Sequence, residues 1–293
     1  MLKQLVVFVI AMMFVLITAI ILIIYTIQRG EEFKAHQSVI QKAAVHGAAY
    51  AVKLQLSNKH RHVRLFLDEY QQLVSQLITF PNDLKTKNNV KARLEQRFTD
   101  FFAFTITNQK ATPLLVDFDG FVGNACMLDL KKYFKSAQRE SLALNTIFVH
   151  PQPDHYHYDI MAPLYSNKSN INIFFVSFDL RDIVDILRTH EIPGQKLILV
   201  KHSDPAFIEV SRLGTRDKLR SREPRLTKTE QQSIRVYENI PDTDWRLVNV
   251  PDVDFEKHYL QGLWKEAGII ILVVTLALLL LIFISFRYFE TKK

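Results

Sequence analysis

Residues 157–188 read HYDIMAPLYSNKSNINIFFVSFDLRDIVDILR. Ile160 to Tyr165 is an apolar-rich run that stops at Ser166, Asn167, Lys168, Ser169 and Asn170, whose side chains favour a turn by bonding to their own backbone. Ile171 to Phe178 is dense in β-branched and aromatic residues, as a strand packed on both faces should be. Asp179 closes it, and Ile183, Val184, Ile186 and Leu187 then fall at helical spacing. The order is strand, tight polar turn, strand, helix.

Working outward, both ends of the 293-residue chain are apolar. Residues 5–27 contain no charge and are long enough to cross a bilayer core, which takes about 20 residues. A cleaved signal would have a shorter apolar region and small residues at the cut. Here Gln28, Arg29, Gly30, Glu31 and Glu32 follow, so an uncleaved signal anchor is expected. Residues 267–286 form a second uncharged run, followed by Arg287, Tyr288, Phe289, Lys292 and Lys293. Lys3 and these tail cations place both termini on the cytoplasmic side, because positive residues near span ends stay inside. Residues 28–266 then lie outside the inner membrane, in a periplasmic or extracytoplasmic position. Only a few residues follow position 286, so an output module of its own is not expected and a separate signalling partner is.

The middle segment carries the remaining organisation. Residues 31–80 lack proline, and Val63, Phe66, Leu67, Tyr70, Leu73, Val74 and Leu77 repeat at three and four, predicting a long helix continuous with the first span. A shorter helix is expected over 89–98. Strands are expected at 101–107, 114–118 and 146–149, with a helix over 130–139 before the last. After the turn at Pro193 and Gly194, strands are expected at 196–201, 207–210, 232–237 and 245–250. A helix over 255–265 then leads into the second span. The fold class is α+β, antiparallel sheets with helices segregated to their sides. The expected parts are an anchor (1–30), a long helix with a membrane-distal subdomain (31–190), a smaller membrane-proximal subdomain (191–265), and the second span with its tail (266–293).

Residues 101–187, and the hairpin at 157–188 above all, resemble the Cache family, PAS-like extracytoplasmic sensor domains of bacterial receptors. The phrase IPDTDWRLV at 240–248 is similar to the closing hairpin of a membrane-proximal Cache subdomain. The resemblance implies a double-Cache domain over residues 31–265, with the central hairpin as one wall of a ligand pocket. The amino-acid-binding branch of that family carries Arg-x-Trp-Tyr before the pocket and an aspartate at the end of the later strand. In this chain Lys131 stands at the arginine position, Tyr133 at the tryptophan, Phe134 at the tyrosine, and Asp179 at the aspartate. Lysine lacks arginine's planar two-point grip on a carboxylate, so a small polar or anionic molecule is implied ahead of a plain amino acid bound in the family's usual way. Lys131, Tyr133, Phe134, Tyr158 and Asp179 are the candidate ligand-binding residues. Asp179 as a cap for the following helix is the alternative for that residue.

Other patterns carry less. His150, Asp154, His155, His157 and Asp159 form a histidine and carboxylate cluster, in which His155, His157 and Asp159 share one strand face. That could serve a metal or a pH response, but a solvated hairpin edge is the favoured reading, and neither metal nor cofactor is assigned. Arg212, Arg216, Lys218, Arg220, Arg222, Arg225 and Lys228 form a basic run suited to a solvated loop or to anionic headgroups. Of the formal charge of +7, Lys3 and the tail after position 286 carry +3, and the +4 left on the middle segment is too weak to indicate nucleic acid. The single cysteine, Cys126, excludes an internal disulfide and a cysteine-based zinc site. No phosphate loop, nucleophile elbow or His-Glu-x-x-His motif occurs, so no enzymatic activity is expected. The expected function is an inner-membrane sensor that binds a small polar solute and signals through its spans to a membrane partner or within a homodimer. The alternatives are a structural protein of polysaccharide co-polymerase type, or a binding or scaffold subunit without signalling.

Overall fold

The computed structural model describes residues 2–115, 124–138, 147–151, 156–167, 170–219 and 223–290. The chain divides into two units, residues 42–251 and the paired ends 1–41 with 252–293. Helix α1 (Leu2–Glu69) contributes to both. Its first part holds the charge-free run, where Ile10, Met12, Leu16 and Ile21 are exposed. Among the described residues, α1 and α7 (Val253–Glu290) are each long and apolar enough to cross a membrane.

In the unit formed by the two ends, α1 and α7 pack on each other. Phe33 stacks on Tyr259 with ring centroids 3.9 Å apart. At Gly30 an added Cβ would lie 3.3 Å from Leu260 Cδ2. Thr26 and Ala267 are buried. Small residues at such a seam let helix backbones approach closely. Gly30→Ala should be accommodated by a shift of the flexible Leu260 side chain, whereas Gly30→Leu should force the helices apart. Disulfide formation between cysteines placed at positions 33 and 259 should be near normal in the first variant and slowed at least about fivefold in the second.

In the other unit, α1 turns an amphipathic face inward. Val45, Ala48, Val52, Leu56, Val63 and Phe66 are each at most 2% exposed. Fully burying the valine, leucine and phenylalanine side chains among them contributes about 1.5–3 kcal/mol each. The helix stops at Glu69, about two turns before the sequence periodicity ends at Leu77, because Tyr70 leaves helical geometry and α2 (Gln71–Thr79) restarts the pattern. Helix α3 (Leu84–Arg97) begins earlier than expected because Asp83 caps it, accepting from the amides of Lys85 and Thr86.

Two antiparallel sheets follow. The first has the order β1-β4-β3-β2, from β1 (Phe101–Ile106), β2 (Phe148–Pro151), β3 (Tyr156–Asn167) and β4 (Asn170–Asp179). Helix α4 (Asn124–Gln138) lies between β1 and β2 in sequence, and α5 (Arg181–His190) follows β4. The hairpin of β3 and β4 runs in continuous register from His157 opposite Asp179 to Tyr165 opposite Ile171. Of the strand expected at 114–118, residues 116–118 lie outside the described residues. Next to it, Thr107 and Pro113 form only an isolated bridge. The second sheet has the order β7-β6-β5-β9-β8, from β5 (Gln195–Lys201), β6 (Ile208–Ser211), β7 (Gly214–Thr215), β8 (Tyr237–Ile240) and β9 (Trp245–Pro251). The strand expected over 232–237 is instead the end of a helix, α6 (Lys228–Ser233), and then β8. Thr227 and Glu230 form a reciprocal capping box that starts α6 and outweighs the β-branched residues after it.

One core lies between α1 and the facing sides of both sheets. It joins Val52, Leu56 and Phe66 to Tyr158, Phe174 and Phe178 of the first sheet and to Leu197, Leu199, Trp245 and Leu247 of the second. The far side of the first sheet packs against Leu130 and Tyr133 of α4. The far side of the second holds Ile198, Val200, Val248 and Leu226. Two antiparallel sheets laid along one long helix are the α+β arrangement that the Cache resemblance implies, and at the level of fold the resemblance is borne out.

Where the sheets meet, the Tyr156 hydroxyl of β3 donates to the Glu209 carboxylate of β6. The Arg216 guanidinium is 3.9 Å from that carboxylate and lies over the rings of Tyr156 and Phe207. Burial pushes the Glu209 carboxyl up to about 7, against the pull of Arg216 and with the help of Asp244. A carboxyl raised on folding stabilises the fold fully below its unfolded value, and that stability is lost as the pH rises through about 7. Chemical denaturation should therefore give a stability loss of roughly 2–3 kcal/mol between pH 5 and pH 8. Glu209→Gln should lack this component.

Candidate functional site

Strand alternation sorts the first sheet into two faces. Met161 of β3 and Ile171, Ile173 and Phe175 of β4 pack with Leu130, Tyr133, Met127 and Phe134 of α4. On the same face, by alternation, lie His157 and Asp159 of β3 and Ser177 and Asp179 of β4. His157 pairs with Asp179 in register, and Asp159 with Ser177. This end of the face is polar although buried: Asp159, Ser177 and His157 are each at most 3% exposed, and Thr105 of β1 is fully covered.

These groups contact one another. The Ser177 hydroxyl donates to Asp159 Oδ1 at 2.6 Å. His157 Nε2 lies 3.6 Å from the same oxygen. The ring of Phe102, in the bulge of β1, stacks on His157 at 5.6 Å. The carboxylate sits between serine and histidine. A relay that activates a serine needs the histidine in the middle, so this order does not make Ser177 a nucleophile. What it offers is a cluster of acceptors, two carboxylates with a hydroxyl and an imidazole, at the edge of an apolar face.

The five sequence candidates divide by location. Tyr133 is buried on this face, and burial raises its hydroxyl far above the ordinary tyrosine value. Phe134 is half-buried beside it. Lys131 is exposed, because residues two apart on a helix point to different sides. Tyr158 is fully buried on the opposite face, stacked on Phe178 in the core against α1. Asp179 is at the open end, its side chain 35% exposed, accepting from the Arg181 amide at 2.8 Å and paired with Arg181 Nε at 3.3 Å. It belongs to the start of α5 as well as to the face. Of the histidine cluster, His157 and Asp159 do share a face. His155 and Asp154 lie outside the described residues, and among the described residues there is no group of three metal-type ligands. Ser177 and Thr105 were missed. Their signal was an isolated hydroxyl at an inward position of a strand otherwise apolar.

Behind Asp179 the opposite face holds a second polar cluster. The Asp179 amide donates to the Asp100 carbonyl at 2.8 Å. The Asp100 carboxylate accepts from Lys59 Nζ of α1 at 2.5 Å. Lys59 also lies 3.6 Å from Asp182 of α5 and over the rings of Phe98 and Phe178. Gln55 of α1 donates to Asp182 at 2.7 Å. Burial raises the Asp100 carboxyl, and Lys59 opposes that rise. Burial also raises the Tyr158 hydroxyl, with the charges of Asp100 and Asp182 adding to it.

No protein-family model matches the chain, and no curated protein matches it. Solved structures of sensor domains are similar to it. The sensor domain of the histidine kinase DctB from V. cholerae is 11% identical over 74% of this chain and 98% of its own, with a TM-score of 0.46. The sensory domain of the Campylobacter jejuni chemoreceptor Tlp3 is 13% identical over 77% of this chain and 98% of its own, with a TM-score of 0.45. The ligand-binding domain of the Pseudomonas aeruginosa amino acid chemoreceptor PctC, in complex with GABA, is 16% identical over 68% of this chain and 95% of its own, with a TM-score of 0.37.

Proposed function

We propose that the chain is a membrane-anchored sensor. It takes a small polar solute at the polar end of the face shared by α4 and the first sheet and passes a conformational bias along α1. The observation that carries this is the junction behind the face. The last residue of β4 is hydrogen-bonded to Asp100, whose carboxylate holds Lys59 of α1. A solute that favours one position of the β4 end therefore favours one position of α1. Coupling of this kind is typically about 1–3 kcal/mol.

The groups on the face are mainly acceptors, so they favour a solute presenting donors, such as an amine or a polyol. Tyr133 and Phe134 supply the apolar wall, and Asp159 and Asp179 the polar contacts. Lys131, on the solvent side of α4, is placed to meet an acceptor only at the rim. The cations at the outer ends of the two spans, Lys3, Arg287, Lys292 and Lys293, support a position of the domain outside the inner membrane with both termini in the cytoplasm. The bias then reaches a membrane partner, or the second copy in a homodimer, through the spans. Tyr158 acts from the core face, fixing the sheet against α1, and does not touch the solute.

The test is a thermal-shift screen of small amines and polyols against the full chain in detergent. A compound that raises the melting temperature of the wild-type chain and not of Asp159→Asn supports the assignment. A set of binders that stabilises both equally removes the solute from this face.

A further inference from the structure

We propose that the cleft between α1 and the hairpin of β8 and β9 is a second binding site, for a small monocarboxylate with a short apolar tail. The cleft is distinct from the face of the first sheet, since it lies on the α1 side. Its inner part has a volume of about 120 Å³ and is lined by Lys53, Leu56, Ser57, His60, Ile147 and Pro241, with Asp242. That is space for a solute of a few heavy atoms, as one water in the liquid takes about 30 Å³. An adjoining cleft of about 440 Å³ shares Lys53 and Pro241 and continues past Ala49 and Tyr50.

The donors fall on one helical stripe. Positions 53, 57 and 60 are four and three residues apart, so an ammonium, a hydroxyl and an imidazole point to the same side of α1. Lys53 and Ser57 are at the mouth, and His60 is 8% exposed at the inner end. Lys53 has no carboxylate partner among the described residues. The opposite wall is held in place: the Ile147 amide donates to the Asp242 carbonyl at 2.9 Å, and Asp242 takes a φ of 61°. A non-glycine residue there is uncommon and persists where its surroundings fix it.

The charge balance selects the ligand. An anionic head suits Lys53, whose ammonium gives charge-assisted bonds. Glu238 lines the adjoining cleft, paired with His46 at 3.2 Å, and with Asp242 it makes a dianion such as phosphate unfavourable. The leucine, isoleucine, alanine and proline walls suit an aliphatic tail. Such a ligand would wedge α1 against the hairpin of the second sheet and act on the same helix as the first site.

The experiment is titration of the full chain in detergent with butyrate, followed by isothermal calorimetry or ligand-observed NMR. Butyrate should bind in the millimolar range or tighter, butyramide should not, and acetate should bind more weakly than butyrate. Lys53→Gln should weaken butyrate at least about tenfold, and Ser57→Ala about threefold. Both positions are exposed, so neither change threatens the fold. Lys201→Gln, an exposed lysine elsewhere, should leave the affinity unchanged. Failure of butyrate to bind up to about 10 mM, unchanged affinity in Lys53→Gln, or equal weakening by Lys201→Gln would overturn the proposal.

Discussion

Replacing Lys59 by methionine should destabilise the domain by about 3–5 kcal/mol, because it leaves the Asp100 carboxylate buried without its cation. The side chains of Lys59 and Asp100 are 9% and 2% exposed, so water does not take over the lost role. Methionine keeps most of the volume and its contact with the rings of Phe98 and Phe178, which isolates the charge as the cause. The double variant Lys59→Met with Asp100→Asn should recover most of the loss, since a buried ion pair contributes little net stability over a well-packed neutral pair. Urea unfolding of the full chain in detergent, followed by tryptophan fluorescence, reads both. Trp245 is a suitable reporter, being buried in the core that also holds α1. A single variant within about 1 kcal/mol of wild type would mean that Lys59 is not the pin between α1 and the first sheet.

The second large effect concerns solute capture. Combining Asp159→Asn with Asp179→Ala should reduce the affinity for the solute at the first site at least about 100-fold, or roughly 2.7 kcal/mol. Charge-assisted hydrogen bonds contribute about twice what neutral ones do, and the pair removes both carboxylates from the face. Asparagine at 159 still accepts from Ser177, so the sheet should remain folded. The loss should be visible in binding isotherms with little change in the unfolding midpoint. Equal loss of binding and stability would instead mean that these carboxylates only hold the sheet.

Much of this architecture can be read from local pattern. The hairpin of β3 and β4 is legible because a β-branched and aromatic run meets a polar turn and then a helical period. The spans are legible because length and missing charge suffice. The helix α6 is not legible from hydrophobic period. Its start lies in the pairing of Thr227 with Glu230, and six residues are too few to show a stripe. The site was half legible. Tyr133 and Phe134 follow from the helix they sit on, and His157 with Asp159 from strand alternation. Tyr158 is one residue from His157, and that single step carries it to the other face. Lys131 is two residues from Tyr133, which on a helix turns it to solvent. The junction of Lys59 with Asp100 and Asp182 joins residues far apart in sequence, so no spacing rule reaches it.

Solute at the first site should change how α1 packs on α7, and the rate of disulfide formation between cysteines at positions 33 and 259 reads that change. In the wild type these positions carry a stacked pair of rings. The rate is measured in full chain reconstituted in nanodiscs, with and without a solute that the thermal-shift screen finds to depend on Asp159. A change of at least about fivefold is expected on adding solute, the factor to which a coupling of about 1 kcal/mol corresponds, with no change in the double variant Lys59→Met with Asp100→Asn. A rate that stays the same in the wild type while the solute is bound would contradict that coupling.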